Sequence, residues 1–184
     1  GGDLDVRVWS SQDMAGGGNL TGNGAMWQVD GASPGGEAIA GADLDGDGVS
    51  ELAFGSNTAA AGAVVIVSGA DIALGGQVSV NDLDGLTGSS GAGLGVHSSF
   101  MDDVDGDGKP ELIVAAPVVT TSLEGAGEVY VISADDAMAG GSASSAASFT
   151  VEGSNLQGRL AVVGEYQGDI NADGLPDLAV SPLA

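Results

Sequence analysis

Three stretches of this 184-residue chain carry acidic residues at a spacing that suits one hard cation each. In the first, Asp43, Asp45 and Asp47 hold positions 1, 3 and 5, Gly48 holds position 6 and Glu51 position 9. The second repeats this with Asp103, Asp105, Asp107, Gly108 and Glu111, and the third with Asp169, Asn171, Asp173, Gly174 and Asp177. Alternate carboxylates on a tightly curled loop converge on one point, and a cation that takes about six to eight oxygens fits that geometry. Glycine at position 6 lets the chain turn sharply. The carbonyl of position 7 (Val49, Lys109, Leu175) is then expected to point inward, with the acid at position 9 closing the site. The third loop has Asn171 where the others have Asp, so it carries one charge fewer and is expected to bind more weakly.

Two other interpretations of the loops fail. An EF-hand needs a bidentate Glu at position 12 and flanking helices. Position 12 here is Phe54, Val114 and Val180, apolar each time and set in a strand-like run. Asp-Gly pairs also make plain turns, but three loops that all keep an oxygen-bearing residue at positions 1, 3, 5 and 9 argue for ligation. Magnesium dehydrates reluctantly and seldom uses all-protein cages. The expected ion is Ca²⁺, at about three sites.

The elements that position these loops recur with them. DLDGDGVSELAFG (43–55) matches DVDGDGKPELIVA (103–115) and DINADGLPDLAVS (169–181), at steps of 60 and 66. A second element, VRVWSSQDMAGG (6–17), matches VVIVSGADIALGG (64–76) and VYVISADDAMAGG (129–141); its serines Ser10, Ser68 and Ser133 stand 58 and 65 apart. Each copy is a β-branched run, a Ser, an Asp and a Gly-Gly stop. Strands are expected at 5–9, 51–54, 63–67, 111–115, 128–132 and 177–180, on alternation and β-branched content. Weaker candidates precede the acidic loops (37–42, 96–101, 160–163) or follow the Gly-Gly stops (25–29, 77–80, 148–151). The segment after each Ser is expected to make a single helical turn, being too short for a stable helix. That predicts an all-β chain of about four antiparallel strands per repeat of about 60 residues, the strand count of a propeller blade. The chain reads as one array of three repeats, 1–62, 63–127 and 128–184.

Composition agrees. Aromatics are 4% of a chain that is 43% hydrophobic, so the core is thin and built from Val, Ile, Leu and Ala. Glycine numbers 34, more than twice the usual share of about 7%, without a collagen period, as many tight turns require. With 26 acidic residues against 3 basic ones the net charge is −23, which repels a phosphate backbone and an anionic membrane surface alike. Neither nucleic acid nor membrane insertion is expected. There is no cysteine, hence no disulfide, thiolate zinc site or thiol catalysis. No catalytic constellation is evident: His97 is the sole histidine and no Gly-x-Ser-x-Gly elbow occurs. The chain is expected not to be an enzyme. Trp9 and Trp27 suit core packing better than a sugar-stacking platform.

The segment DVDGDGKPELIVAAP (103–117) followed by GAGEVYVIS (125–133) resembles the FG-GAP repeats of integrin α-subunit β-propellers and their bacterial relatives. The resemblance extends over essentially the whole chain. Its Phe-Gly element is degraded, with Gly36, Leu94-Gly95 and Gln157-Gly158 in its place. It implies that each loop joins two strands of one blade and binds calcium through the residues named above, in an extracellular or cell-surface setting. Both chain ends fall within a blade, so the partner expected is a second copy, in a filament or ring, or the neighbouring blades of a longer array. The role expected is that of a structural or adhesion module. The accessory propeller of a larger secreted enzyme, or a propeller that binds a glycan or a cell-surface protein, are the alternatives.

Overall fold

The computed structural model describes residues 6–19, 24–31, 34–56, 61–120 and 123–182, with the backbone alone for 34–40 and 162–167. Asp5, at the start of the first expected strand, lies outside them. The described residues form four small sheets. Strands β1 (Val6–Val8) and β2 (Trp27–Asp30) pair antiparallel. Strands β3 (Pro34–Ala42), β4 (Glu51–Ser56), β5 (Ala63–Val67) and β7 (Gly85–Thr87) form an antiparallel series, as do β8 (Ser98–Met101), β9 (Glu111–Ala116), β10 (Glu128–Ile132) and β12 (Ala147–Glu152). Strands β13 (Leu160–Gly168) and β14 (Asp177–Pro182) form a two-stranded sheet.

These sheets stack face to face, because both faces of the central strands are apolar. On β9, Leu112, Val114 and Ala116 pack with Ala53, Val64 and Leu86 of the preceding sheet. The intervening Ile113 and Ala115 pack with Leu160 and Ala161 of the following one. On β10, Tyr130 and Ile132 face one way and Val129 and Val131 the other. This period of two, buried on both sides, is why β9 and β10 read as unbroken apolar runs. Phe54 and Val65 likewise turn toward Trp27 and Val29 of the first sheet. Trp27 is thus a core residue, while Trp9 is half-buried.

Two features depart from the expected antiparallel blades. Strands β6 (Gly76–Ser79) and β11 (Gly141–Ser142), which follow the Gly-Gly stops, do not stay in their own sheets. Each crosses to the preceding one and pairs parallel with its outer strand, β6 with β2 and β11 with β7. Among the described residues the sheets therefore hold three, five, four and two strands, and the Gly75-Gly76 and Gly140-Gly141 segments each clasp one blade to the one before. The Ser-Asp segments are also more than single turns. Helices α1 (Ser11–Ala15), α2 (Gly69–Leu74) and α3 (Ala134–Ala139) run five, six and six residues, and a fourth, α4 (Ala143–Ala146), follows β11. Ser10, Ser68 and Ser133 cap their first turns by accepting a backbone N–H, and Gly16, Gly75 and Gly140 end them. Capping at both ends, and for α2 and α3 packing against the sheets, offset the cost of helix nucleation. Among the described residues the stack does not close into a propeller, and no helix is long and apolar enough to cross a membrane.

Candidate metal centres

The three acidic loops occupy one topological position. Each joins two antiparallel neighbours: β3 to β4, β8 to β9 and β13 to β14. Each is curled by its own carboxylates. Asp43 accepts the N–H of Gly46 (2.8 Å) and of Gly48 (2.9 Å) on its two oxygens. Asp103 accepts those of Gly106 (2.6 Å) and Gly108 (2.9 Å). Position 3 accepts the N–H of position 5, Asp45 from Asp47 and Asp105 from Asp107, both at 3.0 Å. Position 5 accepts the N–H of position 7, Asp47 from Val49 at 2.7 Å and Asp107 from Lys109 at 2.8 Å. Position 9 reaches back across the loop: Glu51 accepts the N–H of Leu44 at 2.5 Å and Glu111 that of Val104 at 2.7 Å. Charge-assisted bonds to backbone N–H groups are among the stronger ones. They hold the acids on the inside of the curl.

Position 4 as well as position 6 demands left-handed backbone. Gly46 and Gly48 have φ of 80° and 88°, and Gly106 and Gly108 have 84° and 88°. Position 4 is thus a second turn-making site beyond the one expected at position 6. In loop three, position 4 is Ala172 at φ 64°, a conformation that costs a side-chain-bearing residue about 1–2 kcal/mol.

The acids converge unequally. In loop two, Asp103, Asp105, Asp107 and Glu111 each bring an oxygen within 4.8 Å of the others. In loop one, Asp43, Asp45 and Glu51 do so, and Asp47 stands outside the group. Loop three forms no such acidic group among the described residues. There Asp169 accepts from Asp173 and Gly174, and Asp173 from Leu175. Asp177 accepts from the N–H of Ile170 at 2.6 Å, and the Asn171 amide donates to Asp173 (3.0 Å) and Asp177 (3.3 Å). A neutral amide thus lies among the acids that the other loops set against one another. Of the expected position-7 residues, Val49, Lys109 and Leu175 all donate their N–H to position 5. The Lys109 side chain leaves its loop for Asp135 of α3, at 2.6 Å. That bond raises the Lys109 pKa.

Burial separates the loops further. Glu51 and Glu111 are 0% and 1% exposed, whereas Asp177 is half-buried. Among the described residues Glu111 Oε1 has no hydrogen-bond partner. Burial first, and then the charges of Asp105, Asp103 and Asp107, push the Glu111 pKa up, against the bond from Val104 that lowers it. A buried carboxylate oxygen without a donor is costly unless something positive meets it. Two oxygens on opposite sides of one Ca²⁺ lie about 4.6–5.2 Å apart, twice the metal–oxygen distance. The spacing, the all-oxygen donor set and the orphaned oxygen all fit a hard divalent cation at loop two. The loop-one group fits the same ion with three carboxylates.

The fold and the loops together define a class: a repeat protein of stacked β-sheets whose strand connections are acidic, metal-competent loops. Residues 97–132, which run from His97 through loop two to the end of β10, match the model of the FG-GAP repeat family. No curated protein matches the chain.

Proposed function

We propose that this chain is an extracellular calcium-stabilised module, non-catalytic in role, that works as a structural or adhesive unit by joining its repeats to further copies. The calcium part rests on Glu111. Three neighbouring carboxylates and a buried, unpartnered oxygen make ionised loop two unfavourable until a cation arrives. At free calcium about twenty times the dissociation constant, each filled site adds about 1.8 kcal/mol, a substantial share of a small domain's stability. Three ions would reduce the net charge from −23 to −17.

The assembly part is supported by position 2 of the loops. Leu44 is 0% exposed and belongs to a cluster with Phe100 of repeat two and Ala134 and Met138 of repeat three. Val104 is half-buried against the cluster that includes Leu160 and Ala161. Ile170, their equivalent, is 64% exposed, and Leu175 beside it 52%. The outer face of repeat three thus offers the contact that repeats one and two make with their successors. A second copy, or neighbouring repeats of a longer chain, would cover it. Sedimentation of the purified chain with calcium tests this: self-association that Ile170→Glu abolishes is expected, and a monomer at all concentrations would contradict assembly between copies.

A further inference from the structure

The first two loops differ in one residue that lies outside both of them. Ser68 and Ser133 are equivalent helix caps, but the residue after each is Gly69 in one repeat and Ala134 in the other. At loop one the Gly69 N–H donates to Glu51 Oε1 at 3.2 Å, so Glu51 is held at both oxygens, with Leu44 on Oε2. That approach leaves no room for a side chain. A Cβ on Gly69 would lie 2.3 Å from the Ser50 carbonyl oxygen and 2.7 Å from Val49 Cγ1. Ala134 carries such a Cβ, fully buried, and among the described residues Glu111 Oε1 has no donor.

We propose that the Gly69/Ala134 difference sets the order in which the loops fill: loop two takes the divalent cation first and more tightly. This rests on the calcium reading above. In loop one the Gly69 N–H competes with a cation for Glu51. In loop two Glu111 meets the ion with an unspent oxygen, and binding relieves the burial of an unpaired charge. The number of converging acids acts in the same direction, four in loop two against three in loop one. Lys109 acts in the opposite direction, since an ammonium near loop two repels a cation. Its charge is matched by Asp135 and lies at the solvent surface, where screening is strong. The buried oxygen outweighs it.

The test is a calcium titration of the full, isotope-labelled chain, followed through the backbone amides of Gly48 and Gly108. These report loop one and loop two separately, since they donate to Asp43 and Asp103. Gly108 should respond at about tenfold lower calcium than Gly48. The Gly69 amide should move together with Gly48 as its bond to Glu51 is displaced. In Ala134→Gly, checked for folding by the unchanged amides of β9 and β10, the two midpoints should come within about threefold. If that variant does not fold, the wild-type order and the Gly69 response decide. A common midpoint, a reversed order, or a Gly69 amide that stays put while Gly48 titrates would overturn the order and leave calcium binding standing. No response in either loop would overturn the calcium reading itself.

Discussion

Loops two and three share a hydrogen-bonding plan and differ in what surrounds it. In both, the acid at position 9 bonds back to the N–H of position 2, at 2.7 Å from Val104 and 2.6 Å from Ile170. Around loop two, β10 and β12 complete a four-stranded sheet, and Glu111 is sealed at 1% exposure. Around loop three the sheet has two strands, Asp177 is half-buried and Ile170 is open. A local plan therefore curls the loop, but neighbouring elements decide whether its charges are desolvated. Desolvation is what makes a cation valuable, because the repulsion of buried carboxylates is screened far less than that of exposed ones.

The comparison can be broken most directly at position 2. Leu44→Ala should cost about 3 kcal/mol, as truncation of a fully buried leucine does, while Ile170→Ala should change stability by less than about 0.5 kcal/mol in the isolated chain. Denaturant unfolding checks both, and equal effects would mean that repeat three has a partner in solution. Next in size is the position-9 acid. Glu111→Gln should remove about 2 kcal/mol of calcium-dependent stability, and Asp177→Asn markedly less. The measured quantity is the stability difference between calcium and chelator for each variant. The smallest effect is at loop three's strained residue. Ala172→Gly should stabilise the protein by about 0.5–1 kcal/mol, because φ 64° suits glycine and the gain is partly offset by unfolded-chain entropy. Asn171→Asp should sharpen the contrast from the other side, giving loop three a fourth carboxylate and a calcium response closer to that of loop two.

The ligand spacing was legible because alternate acids, a glycine and a closing acid are local features. So were β5 and β10, which run over 63–67 and 128–132 as their β-branched pattern predicted. The crossing of β6 and β11 was not legible. Their partners β2 and β7 belong to the preceding repeat, and nothing in Gly-Gln-Val-Ser or Gly-Ser marks a parallel pairing. Helices α2 and α3 were underestimated for a related reason: their Ser and Gly caps were visible, but the sheet surface that supports them was not. Position 2 of the loops carries no signal of its own in the sequence. Leu44 became a core residue only through Ala134, Phe100 and Met138, more than fifty positions further along the chain. The difference between Glu51 and Glu111 likewise depends on Gly69 and Ala134, outside either loop.

Thermal unfolding of the intact chain, recorded in saturating calcium and again in excess chelator, bears most directly on what holds this fold together. Two well-filled loops, at about 1.8 kcal/mol each, should raise the melting temperature by roughly 10 °C, and Glu111→Gln should remove at least half of that gain. A melting temperature identical in calcium and chelator would contradict it: the converged carboxylates of loop two would then be tolerated without a cation.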